Sequence, residues 1–176
     1  NNEVVDKILK KYGQVDIVTA NNVFAHNREL KKIASAVKKL IKDNGIFVIE
    51  VQYLLDLVNN GYFDMVYHEH TSYHHIKPLV QMMENIGMKI VEAQKVSSHG
   101  GSIRLIFKKT TLKNKFANEV IKQDEIFNSN ILENMKKLDI SIKEFKSDFK
   151  NKILELKEKY DCIYGYAAPA KIVTLL

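Results

Sequence analysis

Cysteine, tryptophan, proline and glycine are all scarce: one, none, two and seven among 176 residues. A single thiol, Cys162, excludes an internal disulfide and any zinc site built from several cysteines. Its Ile and Tyr neighbours predict that it is buried. None of the seven glycines falls in a G-x-G-x-x-G pattern, so no dinucleotide or adenosyl loop of that kind lies in these residues. No apolar run approaches the roughly 20 residues that cross a bilayer, and no signal peptide opens the chain. A reducing cytoplasm is the expected location, with no membrane partner. Dense Lys/Arg blocks interleaved with aromatics are missing too, which argues against a nucleic-acid footprint.

What is abundant is lysine and apolar surface. Net charge is +6, pI is about 9.2, and apolar residues make up 45% of the chain. That supports a core of one domain or one and a half. A basic surface helps attract an anionic small molecule. Histidine is concentrated rather than frequent. Four of six lie in Tyr67-His68-Glu69-His70-Thr71-Ser72-Tyr73-His74-His75, beside two phenols and a carboxylate. Imidazole is poised between donor and acceptor near neutral pH, and a neighbouring carboxylate or phenol can tune it. The stretch reads as the centre of an active site.

Periodicity supplies the frame. Residues 2–11 read as a helix, 15–20 as a buried strand, 28–42 as a helix capped by Asn27, and 46–51 as a second buried strand. Two such strands joined by a helix form a parallel βαβ unit. Ligands bind outside the carboxyl ends of such strands, which brings Asn21, Asn22, His26, Glu50 and Gln52 beside one. A short helix (53–60), a helix (76–87) and two antiparallel strands (88–96 and 102–108) follow, with Ser98-His99-Gly100-Gly101 as the turn. Residues 118–128 and 131–159 read as helices, the second long and narrow-striped. Residues 161–166 read as a strand, 167–171 as a loop and 172–176 as a helix onset, an apolar onset that suggests a chain cut inside a second α/β unit.

Two chemistries suit the histidine stretch. One is a metal site from His68, His70 and a carboxylate. The other removes a proton beside a ketone: His70 backed by Glu69 as base, Tyr67 and His26 as donors to the enolate oxygen. His74 and His75, just before a helix, read as surface groups. His99 with its two glycines, and Tyr166 with Lys171, are weaker ligand candidates.

Several stretches together resemble a known family: Asn21-Asn22-Val23-Phe24-Ala25-His26, Tyr67-His68-Glu69-His70, Ser98-His99-Gly100-Gly101-Ser102-Ile103-Arg104, and Gly165-Tyr166-Ala167-Ala168-Pro169-Ala170-Lys171 with Thr174-Leu175-Leu176. In this order they are similar to the S-adenosylmethionine-dependent C-methyltransferases of nucleotide-linked 4-keto deoxysugars. The resemblance implies an α/β fold: the C-terminal half of a Rossmann-like class I methyltransferase sheet in residues 1–110. Residues 111–176 would then hold connecting helices and the start of a C-terminal α/β domain that binds sugar nucleotide. It implies a zinc-binding N-terminal domain and a glycine loop outside these residues, so that this stretch alone is expected to be inactive. Carried over by position, His70 resembles the base acting at sugar C3, Tyr67 and Glu69 its partners, and His26 a histidine near the keto sugar. Asn21 and Asn22 would line the methionine side of the cofactor. His99, Tyr166 and Lys171 would face the nucleotide sugar, the expected partner. A non-catalytic sugar-nucleotide binder and a His/Glu metal-dependent enzyme remain the alternatives. The sequence leaves the oligomeric state open.

Overall fold

Alternation along β2 (Ile41–Gln52) sets the fold. Phe47, Ile49 and Val51 are buried, and each sits opposite a buried residue of the antiparallel β4 (Ser102–Lys109): Phe107, Leu105 and Ile103. On its other edge β2 pairs in parallel with β1 (Val15–Asn21), which sets Val18 opposite Phe47 and Ala20 opposite Ile49. β3 (Met88–Val96) joins the far side of β4. The order β1-β2-β4-β3 is an α/β sheet of the kind expected for the second half of a class I methyltransferase. The antiparallel pair forms as expected, at the edge of the sheet with β3 outermost. β4 lies between two neighbours, where its residues Ile103, Leu105 and Phe107 are best covered. The computed structural model describes residues 2–110 and 118–166, with positions 169, 171 and 174.

The helices follow the apolar stripes. α2 (Leu30–Leu40) buries Ala34 and Val37 and joins the two parallel strands, and α1 (Asn2–Tyr12) lies against it. It begins two residues later than its sequence suggested. Asn27 does not cap it; its Oδ1 accepts from the Glu29 N–H at 2.8 Å and closes a turn just before the helix. The helix expected to run to residue 42 ends at Leu40, because β2 starts at Ile41 with a register break opposite Val15 and Ile17. α3 (Leu54–Asn60) ends on Gly61 in the left-handed conformation, φ 65°. α4 (Ile76–Asn85) buries Ile76, Leu79 and Met83.

α5 (Glu119–Ser129) inserts Phe127 and Asp124 into the same core. α6 (Ile131–Lys159) is the long helix that the three-four spacing predicts. Ile131, Met135 and Leu138 pack on the core, Phe145 meets Phe63 at 5.0 Å, and no residue of the helix is fully buried.

Two expectations fail beyond it. Residues 161–166 form no strand; they are irregular and exposed, since a lone extended segment needs a neighbouring strand to satisfy its backbone. Cys162, expected inside, is exposed with them. Of the predicted loop at 167–171 and helix onset at 172–176, only positions 169, 171 and 174 lie among the described residues, and position 174 is helical.

Candidate active site

The site is a seam between two backbone segments. β1 ends at Asn21, and Asn22 turns left-handed (φ 54°) while its N–H donates to the Glu50 carbonyl at 2.7 Å. The chain then makes a single turn, Phe24–His26. Phe24 anchors it, wholly buried against Phe47 and His74. The histidine loop lies along this turn. Thr71 donates to the Ala25 carbonyl twice, from N–H at 2.8 Å and from Oγ1 at 3.1 Å. In return, His26 Nδ1 stands 3.0 Å from the Glu69 carbonyl. A carbonyl only accepts, so Nδ1 carries the hydrogen.

These bonds bring the His26 and His70 rings to 4.9 Å, edge to face, and the Tyr67 ring to 4.4 Å from His70. His70 is fixed in the same way: its Nδ1 lies 2.9 Å from the Met65 carbonyl. Nδ1 is therefore the donor and Nε2 keeps a free lone pair. Burial lowers the His70 pKa from its ordinary 6.5. The Met65 hydrogen bond opposes this, and positive charge on His26 or Lys171 adds to it. The imidazole is thus neutral and basic at neutral pH. Burial, then the Glu69 charge, raises the Tyr67 pKa, so its phenol stays a donor.

A cavity of about 120 Å³ opens here, lined by Asn22, Ala25, His26, Gln52, Met65, Tyr67, His70, His99 and Lys171. His26, Tyr67, His70, Asn22, His99 and Lys171, singled out from distant parts of the sequence, are gathered at one point. Lys171 reaches in beside the Met65 sulfur and stands 3.5 Å from Asp64 Oδ2. His99 is held left-handed (φ 52°) in the Ser98–Gly100 turn. Asn22 and His99 are the two described non-glycine residues with positive φ, and both face this cavity. Backbone strain of this kind concentrates at functional sites. Gly101 permits the turn: a Cβ there would sit 2.7 Å from Asp56 Oδ2.

Other candidates are placed differently. The expected backing of His70 by Glu69 is supplied by the Met65 carbonyl. The Glu69 carboxylate is turned outward, 3.9 Å from His68 Nε2, and acts on His70 only through space. Asn21 is exposed at the strand end, outside the cavity lining. Tyr166 is fully exposed and meets no part of the cavity. Glu50 is not free for a ligand: Arg104 and Ser98 both donate to it and hold its carboxyl below the usual range. His74 and His75, read as surface groups, are buried. The segment bridges to Tyr53 on the way into α4, and Asp124 from α5 meets His75 Nδ1 at 3.1 Å. Asp124 also accepts from Tyr53 Oη, Ile76 N–H and Lys77 N–H. No sequence pattern links Asp124 to His75 across 49 positions, nor marks Met65 as the residue that orients His70. Among the described residues, no three of His, Cys, Asp and Glu stand together as metal ligands, so the His68–His70–carboxylate reading lacks a donor set.

The methyltransferase domain family matches residues 1–93, and the C-methyltransferase C-terminal domain matches residues 97–176. The C-methyltransferase NovU of Streptomyces niveus is 34% identical over 101 residues, which cover 57% of this chain and 24% of that protein. The chain therefore spans about a quarter of that relative's length. Solved structures overlap loosely. Magnesium protoporphyrin IX methyltransferase (ChlM) from Synechocystis PCC 6803 with bound SAH is 14% identical at TM-score 0.45, covering 62% of this chain and 59% of that one. LepI in complex with SAM is 8% identical at TM-score 0.45, covering 55% and 27%. With the first match spanning more than half of its residues, the chain belongs to the methyltransferase domain family, and its second half matches the C-terminal domain of the C-methyltransferases.

Proposed function

We propose that this chain carries the proton-abstraction centre of an S-adenosylmethionine-dependent C-methyltransferase acting on a nucleotide-linked 4-keto deoxysugar. The carrying observation is His70: a partly buried, neutral imidazole whose Nδ1–H is spent on the Met65 carbonyl and whose Nε2 is free beside a phenol. A hydrogen next to a ketone is acidic enough to remove when a fixed base meets it and a donor receives the charge. His70 Nε2 takes the proton from C3, and the electron pair moves into the C3–C4 bond and onto the C4 oxygen. Tyr67 donates to that oxygen. His26 spends its Nδ1–H on the Glu69 carbonyl, which orients its ring beside His70 and leaves Tyr67 as the donor to that oxygen. The Glu69 carboxylate raises the basicity of His70 from a distance.

The residues at the strand ends fit part of the cofactor. Asn22 is held left-handed and lines the cavity, with Asn21 beside it at the end of β1. These amides would hold its methionine side. When bound, S-adenosylmethionine supplies the electrophilic methyl group that the carbanionic C3 takes up. Lys171 offers a cation, and His99 an imidazole, toward the anionic nucleotide side.

The test uses the intact protein and a nucleotide-linked 4-keto-6-deoxyhexose in deuterium oxide. Wild type is expected to exchange deuterium into C3 without cofactor, and His70→Asn to lose both exchange and methylation. Exchange retained in His70→Asn would remove that residue from the role of base. Exchange at C5 alone, the other carbon flanking the ketone, would overturn the C3 assignment.

A further inference from the structure

Among the described residues, the side-chain oxygen of Gln52 has no partner that explains its burial. It ends β2 only 8% exposed, and its Oε1 is shielded from solvent with no hydrogen-bond partner. Ser102, opposite it in the register, spends its hydroxyl on the Ser98 carbonyl. A dry, unpaired amide oxygen destabilises the protein that holds it, and such atoms are rare in folded chains. This one belongs to a residue that lines the cavity with His26, Tyr67, His70, His99 and Lys171. It lies at the carboxyl end of a strand, where open α/β sheets meet their ligands.

We propose that Gln52 is a substrate-contacting specificity residue, whose Oε1 accepts a hydrogen bond from a ring hydroxyl of the sugar. The inference rests on the reading above and deepens it. An amide oxygen only accepts, so its partner must donate. The keto oxygen and the phosphates of a nucleotide-linked keto sugar only accept; its hydroxyls donate. Gln52 would therefore select sugars that carry a hydroxyl within reach of the reacting carbon. A site built to bond a hydroxyl rejects the analogue lacking it, because the buried acceptor is then left unpaired.

Gln52→Met keeps the length of the side chain and deletes the acceptor. In the intact protein, calorimetric titration with a TDP-linked 4-keto-6-deoxyhexose is expected to show affinity reduced by roughly ten- to a hundredfold. Affinity for S-adenosylmethionine should be unchanged, and discrimination against the ring-deoxy analogue should disappear. The thermal midpoint should not fall, since an unpaired polar atom has been replaced by an apolar one. Gln52→Asn, which withdraws the amide by one carbon, provides the same comparison if the first variant folds poorly. Unchanged sugar affinity in the variants, or a loss confined to the cofactor, would overturn the role of Gln52 while leaving the proposed reaction standing. Wild type that fails to bind the sugar nucleotide would overturn both.

Discussion

At the scale of single residues, the imidazoles divide by what surrounds them. His70 is held neutral by burial, so the base role proposed for it requires no deprotonation near pH 7. Its pKa lies below 6.5; the rate of C3 exchange should therefore be flat through neutral pH and fall only on the acid side of that value. An acid limb centred above 6.5 would contradict the geometry. Glu69 acts on His70 through space alone, so Glu69→Gln should slow exchange modestly, by less than about tenfold, where His70→Asn abolishes it. His74 has a structural task. It is buried against Phe24, its pKa is lowered chiefly by desolvation, and Ser72 Oγ lies 3.0 Å from its Nε2. Because the folded value is depressed, the unfolded chain binds the proton first. Stability is then complete above about 6.5 and is lost as pH falls below it. Calorimetric scans between pH 7.5 and about 5.5 should show the midpoint falling, and falling less in His74→Phe. The cluster at 67–75 was legible because its composition is unusual. The split within it was not. Whether a histidine is a reagent or a core group depends on which carbonyl and which carboxylate face it, and Met65 and Asp124 carry no mark in the sequence.

Among elements, the sheet was the easiest to read and the connections the hardest. β1 and β2 announce themselves as short apolar runs and β4 through apolar alternation, and the helix between the first two set them parallel. The position of β3 at the edge follows from non-local contacts. The false strand at 161–166 shows the opposite case: Ile163, Tyr164 and Tyr166 have strand propensity, but propensity without a neighbouring edge leaves them in solvent. Two joints should be the most sensitive to substitution. At the β3–β4 turn, Gly101 has φ 128° and its missing Cβ would sit against Asp56. Gly101→Ala is expected to cost about 2–4 kcal/mol in urea unfolding and to displace His99. At the α4–α5 joint, Asp124 receives two backbone N–H groups, a phenol and an imidazole. Asp124→Ala leaves all four without a partner and should cost roughly 3–5 kcal/mol, read by the same method. A loss below about 1 kcal/mol would mean that α5 is not anchored through this carboxylate.

For the molecule as a whole, charge and seam act together. The net charge of +6 comes almost wholly from lysine, spread over strands as well as helices. Diffuse positive charge draws an anionic ligand without specifying it, and salt screens it over about 8–10 Å. Raising ionic strength from about 0.05 to 0.5 M should raise KM for the nucleotide sugar several-fold and leave kcat nearly constant. A salt-independent KM would leave recognition to Lys171 and His99 alone. The seam between residues 24–26 and 67–71 works differently, because each of its three bonds, two of them from the His26 and Thr71 side chains, ends on the main-chain carbonyl of Ala25 or Glu69. The spacing of the His26 and His70 rings is thus insulated from side-chain identity at positions 68 and 69. A library randomised there should preserve the architecture of the proton-transfer centre while varying its electric field, which makes those two positions a natural handle for retuning the reaction without dismantling it.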